Sequence, residues 1–351
     1  MSEGMTVQST SQEAGTPVLE GVDLHVEIPL PRGRLHAVRG VSFGVAAGEA
    51  VGLVGESGSG KSITLRALLG LLPVPARVVS GSLLLDGVDV LGLSPRRRHR
   101  ALTDAVSMVF QDSLTALNPV MRVGDQIAEV PRRRLGMSKS AARARAIELM
   151  DQVGIPDPEQ RYRAYPHQLS GGMRQRICIA IALSTDPRVI LADEPTTALD
   201  VTIQAQVLQV IDRLRVERNL GLVLVSHDLA VVSQTCSRIY VMYAGRVVEA
   251  GEAAGLLGAP QHPYTYALLR SVPDPDAPAE RLLTIPGQPP DLVTVPPGCA
   301  FAPRCAFARD VCTANPEPPD LVPVGHRHTS ACVRWQEIEL RDTADLTKER
   351  A

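Results

Sequence analysis

Nowhere does the chain run for about eighteen apolar residues without a break, the length a helix needs to cross a bilayer. No spanning segment is expected, so any membrane association must come through a partner. An excess of one charge is also missing. The formal net charge of −2 over 351 residues leaves no strongly basic footprint, which argues against a nucleic-acid binder. Residues 1–16 are rich in Ser, Gly, Thr and Glu and hold no apolar signal core, so they read as a disordered tail without an export signal. The expected compartment is then cytosolic, where stable disulfides are rare, and the six cysteines become candidates for metal binding. The remaining composition, 44% apolar and 21% charged, is that of a globular protein with enough chain for a sizeable core.

What stands out is Gly55-Glu56-Ser57-Gly58-Ser59-Gly60-Lys61-Ser62, which fills the G-x-x-x-x-G-K-[ST] pattern of a phosphate-binding loop. Its flanks agree. Ala50-Val51-Gly52-Leu53-Val54 reads as a buried strand, and residues 63–69 read as a helix that Gly70 ends. Glycines let successive N–H groups point inward, and the helix N-terminus adds its positive dipole end, so the loop favours polyphosphate. Lys61 is expected at the β- and γ-phosphates and the Ser62 hydroxyl on Mg²⁺.

Before the loop, the alternation at 24–28 and the run at 41–45 suggest strands, with residues 29–34 turn-like. Residues 81–87 look like a strand closed by an Asp-Gly turn, and the basic run 95–100 reads as a solvated surface stretch. Val106-Ser107-Met108-Val109-Phe110 is a short buried strand. From 112 to 172 the pattern is helical, with Ser138 capping a helix that ends at Gly154. Strands at 189–192 and 221–225 flank a helix at 203–218. Strands alternating with helices imply an α/β fold with a largely parallel sheet, whose ligands gather at the strands' carboxyl ends. Lys61, Gln111, Asp193-Glu194 and His227 each follow such an end. Beyond 260 proline becomes frequent and long helical patterns vanish, which places a boundary near Ala259.

The carboxylate pair suits two jobs. Asp193 would hold Mg²⁺ through its water shell and Glu194 would polarise the attacking water. His227 is placed to contact the γ-phosphate region, and Gln111 to ligate Mg²⁺ or position water. A second anion site opens the helix at Leu169-Ser170-Gly171-Gly172-Met173. One phosphate loop already serves one nucleotide, so this second site makes sense if it closes over nucleotide held by another subunit.

Together these motifs resemble an ABC-transporter ATPase: Walker A at 55–62, Q-loop at Gln111, signature at 169–173, Walker B at 189–194, D-loop at Ala198-Leu199-Asp200 and switch histidine at His227. The resemblance covers about 17–335. It implies a P-loop NTPase fold with a parallel-sheet core, an antiparallel β subdomain, a helical subdomain near 112–175 and, after 259, a small cysteine-containing module at 260–340, with tails at 1–16 and 341–351. It implies a nucleotide-binding set of Gly55, Glu56, Ser57, Gly58, Ser59, Gly60, Lys61, Ser62 and Thr64, joined by Ser170, Gly171, Gly172 and Asp200. Mg²⁺ is expected on Ser62, Gln111 and Asp193. Phe110-Gln111-Asp112, Asn118-Pro119, Tyr165-Pro166-His167-Gln168, residues 193–202 and His262-Pro263-Tyr264-Thr265 are similar to the oligopeptide/dipeptide (peptide/nickel) importers, and residues 171–176 to their D-type subunit. The implied activity is ATP hydrolysis driving peptide uptake, with nickel and glutathione importers sharing the same motifs. Implied partners are a second, homologous ATPase subunit, two transmembrane permease subunits and, through them, an extracytoplasmic binding protein. The implied location is the cytoplasmic face of the membrane. A soluble ABC-type regulator would usually carry two cassettes, and this chain has one phosphate loop.

One feature departs from the family. These ATPases usually stack adenine on an aromatic upstream of Walker A, yet no Phe, Tyr or Trp lies between Met1 and Val41. Arg34 or His36 is the candidate substitute.

Cys299, Cys305, Cys312 and Cys332 follow the spacing C-x₅-C-x₆-C-x₁₉-C. Four thiolates suit an iron–sulfur cluster or zinc, and the spacing fits neither familiar zinc pattern. In some members of the resembled family four such cysteines hold a [4Fe–4S] cluster; zinc and unligated thiols are the alternatives. Cys178 and Cys236 read as core, and His326 and His328 as surface residues.

Overall fold

The computed structural model describes residues 16–31, 33–197, 199–271 and 285–340. The tails expected at 1–16 and 341–351 lie outside these residues, Thr16 excepted. The chain opens with β1 (Pro17–Leu30) and β2 (Gly33–Ala46), an antiparallel hairpin longer than its alternating stretches alone suggest. β3 (Ala50–Val54), the phosphate loop and α1 (Lys61–Leu69) follow as expected, with Gly70 left-handed at the helix end. β4 (Arg77–Leu85) turns through Asp86 and Gly87, at φ 49° and 76°, into the short β5 (Val88–Asp89). The basic run opens α2 (Pro95–Ala105). There Arg96, Arg97 and Arg100 are exposed, while Arg98 turns back to the carbonyls of Val90 and Leu91 at 3.2 and 2.6 Å.

After β6 (Val106–Val109) come α3 (Ser113–Ala116), α4 (Val123–Arg134), α5 (Lys139–Gln152), α6 (Pro158–Arg161) and α7 (Gly171–Leu183). Ser138 caps α5 by accepting the Ala141 N–H at 3.2 Å, and Gly154 lies just past its end at φ 74°. β7 (Val189–Asp193), α8 (Val201–Arg218), β8 (Gly221–Ser226), α9 (Leu229–Thr235), β9 (Arg238–Tyr243) and β10 (Arg246–Glu252) continue the chain. The last elements are α10 (Ala253–Gly258), α11 (Pro263–Arg270), α12 (Val311–Ala314), β11 (Val322–Gly325) and β12 (His328–Ser330).

Two sheets result. One has the order β2-β1-β4-β5 and is antiparallel. The other runs β11-β12-β10-β9-β3-β8-β7-β6, and its members from β9 to β6 are parallel. Every residue of β3, β7 and β8 is buried, as a parallel sheet covered on both faces requires. Val51 and Leu53 join one core with Leu19, Leu65 and Leu68, while Ala50 and Val54 join another with Ile127 and Ile177. This is the period-two alternation of a strand feeding two cores. Gly52 is needed because a Cβ there would lie 2.2 Å from Val232 Cγ1 of α9.

β10 pairs with both β9 and β12, so the C-terminal strands widen the main sheet. Tyr264 of α11 is fully buried against Tyr243 at the end of β9 and against Phe301, with ring centroids 4.6 and 5.3 Å away. A shared sheet and a shared core therefore cross the composition change near Ala259. The same pairing corrects the expectation for His328. Gly251↔His328 register brings its Nε2 to 2.7 Å from Oε1 of the buried Glu249, while His326 is exposed. Cys178 and Cys236 are buried in the core, as expected.

Candidate functional site

The phosphate loop sits where β3, the central strand, ends and α1 begins. Gly55 and Gly60 take φ of 150° and 105°, and a Cβ on them would meet Met242 O at 2.2 Å and Ala37 O at 2.6 Å. The loop is thus pressed between β2 and β9, with only glycine tolerated at its two ends. Lys61 is buried, and its Nζ donates to the carbonyls of Gly55 at 2.6 Å and Glu56 at 2.8 Å. Burial lowers its pKa, while Glu194, Asp193 and Glu56 act in the opposite sense. The ammonium is therefore parked across the loop, among acceptors that a phosphate can replace.

Ser62 Oγ donates to Asp193 Oδ1 at 2.9 Å. A hydroxyl and a carboxylate meeting at a phosphate loop are a donor set suited to a hard divalent ion, so both residues fit Mg²⁺. Burial raises the pKa of Asp193, and the Ser62 hydrogen bond opposes that rise.

Three strand ends converge on Glu194. Its Oε2 accepts from Gln111 Nε2 at 2.9 Å and from Thr197 Oγ1 at 2.9 Å, and lies 3.3 Å from His227 Nδ1. Its own N–H donates to Val225 O at 3.0 Å, and its φ of 46° turns the backbone sharply at the end of β7. The carboxylate is thereby held from three sides beside the loop. Gln111 and His227, expected at the metal or water and at the γ-phosphate, both meet this carboxylate, and Thr197 joins them.

Other expected residues fall elsewhere. Thr64 is fully buried and its Oγ1 donates to Gly60 O at 3.0 Å. Its hydroxyl fastens the helix to the loop. Glu56 turns its carboxylate toward Arg304 of the C-terminal region, and its backbone N–H donates to Tyr264 Oη at 2.7 Å. Asp200 caps α8, with Oδ1 accepting from Ile203 N at 2.9 Å; Ala198 lies outside the described residues. The second anion motif opens α7, where Ser170 Oγ accepts from Met173 N at 3.3 Å. Gly172 has no space for a side chain, because a Cβ would sit 2.4 Å from Ile203 Cγ2. Arg34 and His36 both reach Glu27, at 3.2 and 3.5 Å.

Cys299, Cys305, Cys312 and Cys332 line a single cavity with His262, Phe301 and Arg334. Among the described residues no group of three or more His, Cys, Asp or Glu is placed to hold a metal ion.

A phosphate loop on the central strand of a parallel sheet, a carboxylate pair on the neighbouring strand, and a second glycine-serine anion motif on a helical subdomain define an ATP-binding cassette. Residues 38–197 match the ABC transporter family, and residues 248–312 match the oligopeptide/dipeptide transporter C-terminal region. The chain is 44% identical over 321 residues to the oligopeptide transport ATP-binding protein OppD of Escherichia coli, covering 92% of this chain and 95% of that protein. It is 48% identical over 336 residues to OppD of Mycobacterium tuberculosis, covering 94% of this chain but 54% of that protein. The chain thus spans about half the length of the mycobacterial relative. A dimeric ATP-binding cassette bound to ADP and phosphate superposes with a TM-score of 0.60 at 26% identity, covering 67% of this chain and 98% of the other. The chain belongs to the oligopeptide/dipeptide transport ATP-binding protein family, in its D-type branch.

Proposed function

We propose that the protein hydrolyses ATP to power uptake of di- or oligopeptides by an ABC importer. The observation that carries this reading is the convergence of Gln111, Thr197 and His227 on Glu194, beside a phosphate loop whose Ser62 meets Asp193. Lys61 and the loop N–H groups would bind the polyphosphate, with Ser62, Asp193 and Gln111 holding Mg²⁺. Bound Mg²⁺ supplies charge neutralisation at the transferred phosphoryl group. Glu194, oriented by its neighbours, would accept the proton of the attacking water, and His227 would contact the γ-phosphate. Catalysis is positioning and electrostatics.

Two such cassettes would sandwich two ATP molecules, each between one Walker A loop and the facing Ser170-Gly171-Gly172. The dimeric cassette among the relatives supports that arrangement. The second ATPase would be a homologous subunit. Two permease subunits would dock on the segment after Gln111, where Phe110, Leu114 and Val120 are exposed. Gln126 pins that segment by bonding Asn118 N, Asn118 O and Met121 O at 2.9, 2.9 and 3.0 Å. No helix among the described residues is long and apolar enough to cross a membrane. Attachment to the cytoplasmic face would therefore run through the permeases, which in turn receive peptide from an extracytoplasmic binding protein. A strain lacking this chain should lose uptake of a radiolabelled peptide, and wild-type but not Glu194→Gln should restore it. Unchanged uptake in the deletion strain would overturn the substrate.

The cofactor reading is a [4Fe–4S] cluster on Cys299, Cys305, Cys312 and Cys332. A single zinc draws its sulfurs to about 2.3 Å from one point, whereas a four-iron cube holds each thiolate on its own corner. Four cysteines lining one cavity supply the number of thiolates such a cluster takes. Protein purified without oxygen should absorb broadly near 400 nm and carry about four irons and matching sulfide. Colourless protein with one zinc would replace the cluster; no metal at all would leave ordinary thiols.

A further inference from the structure

The second residue of the phosphate loop is tied at both its ends to the C-terminal region. The Glu56 N–H donates to Tyr264 Oη at 2.7 Å. Its carboxylate receives a bidentate pair from Arg304, Nη1 to Oε2 at 2.6 Å and Nη2 to Oε1 at 2.9 Å. These partners stand 208 and 248 residues away in the chain. Arg304 is only 6% exposed and is itself fixed, with Nε donating to Pro286 O at 2.8 Å and the guanidinium lying 5.8 Å from the Tyr243 ring centroid. The stretch behind Arg304 also grips the other wall of the site, since Leu292 O accepts the His36 N–H of β2 at 3.0 Å.

A carboxylate in a loop built for polyphosphate is a liability. Left unpaired, its charge opposes the incoming nucleotide and competes for Lys61. A planar guanidinium held nearly dry answers both problems, neutralising Glu56 and fixing its direction through two parallel hydrogen bonds. Lysine would supply the charge without the fork. Resting on the reading of this site as an ATP site, we propose that Arg304 is a positioning residue of the nucleotide pocket. It sets the phosphate loop through Glu56 and makes ATP affinity depend on the fold of the C-terminal region. Because Cys305 is the next residue and lines the cysteine cavity, whatever orders that cavity also orders the loop.

The test is titration of the purified full-length chain with Mg²⁺ and a fluorescent ATP analogue, alongside steady-state ATPase. Arg304→Gln should weaken nucleotide binding by about tenfold or more, with the loss appearing in KM and not in kcat. Arg304→Lys should recover part of it. The double variant Glu56→Gln/Arg304→Gln should bind more tightly than Arg304→Gln alone, because it removes the uncompensated charge. A purely structural role would lower the melting temperature without producing that order of affinities. Equal affinity in wild type and Arg304→Gln, or additive losses in the double variant, would overturn the proposal. Should Arg304→Gln fail to fold, equal affinity of wild type and Arg304→Lys would overturn it instead. Wild-type protein that binds no ATP would overturn the ATPase reading, a separate outcome.

Discussion

Gln111 and Glu194, 83 residues apart and carried by neighbouring parallel strands, meet amide to carboxylate at 2.9 Å. Whatever moves the segment behind Gln111 therefore acts on the Glu194 carboxylate. Glu194→Gln keeps the shape of this pair and removes the base. Its turnover should fall by orders of magnitude while ATP still binds and holds the dimer closed, seen as a larger species in gel filtration with ATP. Unchanged steady-state turnover would remove Glu194 from the role.

Thr197 supplies the second hydrogen bond to the same oxygen. A hydrogen bond to a charged group contributes about 2 kcal/mol, so Thr197→Val should cost on the order of tenfold in kcat with little change in KM. Thr197→Ser keeps the hydroxyl and should stay near wild type. An inactive Thr197→Ser would point to packing of the methyl group instead.

The Ser62–Asp193 pair should show in the pH profile. Burial pushes the Asp193 carboxyl up, and Mg²⁺ requires the ionised form. Affinity for Mg²⁺ should therefore decline on acidification at a higher pH than for an ordinary aspartate. Ser62→Ala removes the hydrogen bond that favours ionisation, so the acid limb should shift upward and the Mg²⁺ requirement rise. An unmoved acid limb in Ser62→Ala would contradict this assignment.

The cysteines separate into two groups. Burial pushes Cys178, Cys236 and Cys305 alike up to about 12, so what separates them is place: Cys178 and Cys236 lie in the core, while Cys305 lines the cavity shared with Cys299, Cys312 and Cys332. Cys178→Ala should leave iron and sulfide content unchanged, whereas Cys305→Ser should lower both. A cluster retained in full by Cys305→Ser would take that residue out of the ligand set.

The phosphate loop, the strand ends and the helix caps were legible because each is local. A glycine, a lysine or a capping serine carries its geometry in its immediate neighbours. The motif position of Thr64 does not say which face of α1 it occupies, and the fold buries it with its hydroxyl on Gly60 O. Thr197 became visible only once the left-handed turn at Glu194 folded its hydroxyl back onto the carboxylate. Tyr264 lies in a family-like stretch, but nothing around it or around Arg304 points to Glu56, and their meeting depends on a sheet that returns the chain's last third to its first. His328 was misread for a related reason, since only the β10–β12 pairing reveals the buried carboxylate opposite it.

That pairing has a consequence for how the protein can be handled. β12 covers the outer hydrogen-bonding edge of β10 from Glu249 to Gly251. A chain cut after Ala259 would leave those N–H and C=O groups bare on a wide, largely apolar sheet, a ready template for a strand from another molecule. Such a fragment would be lost to self-association before its chemistry could be assayed. The proline-rich end of the chain thus also covers a sheet edge that would otherwise be open to pairing.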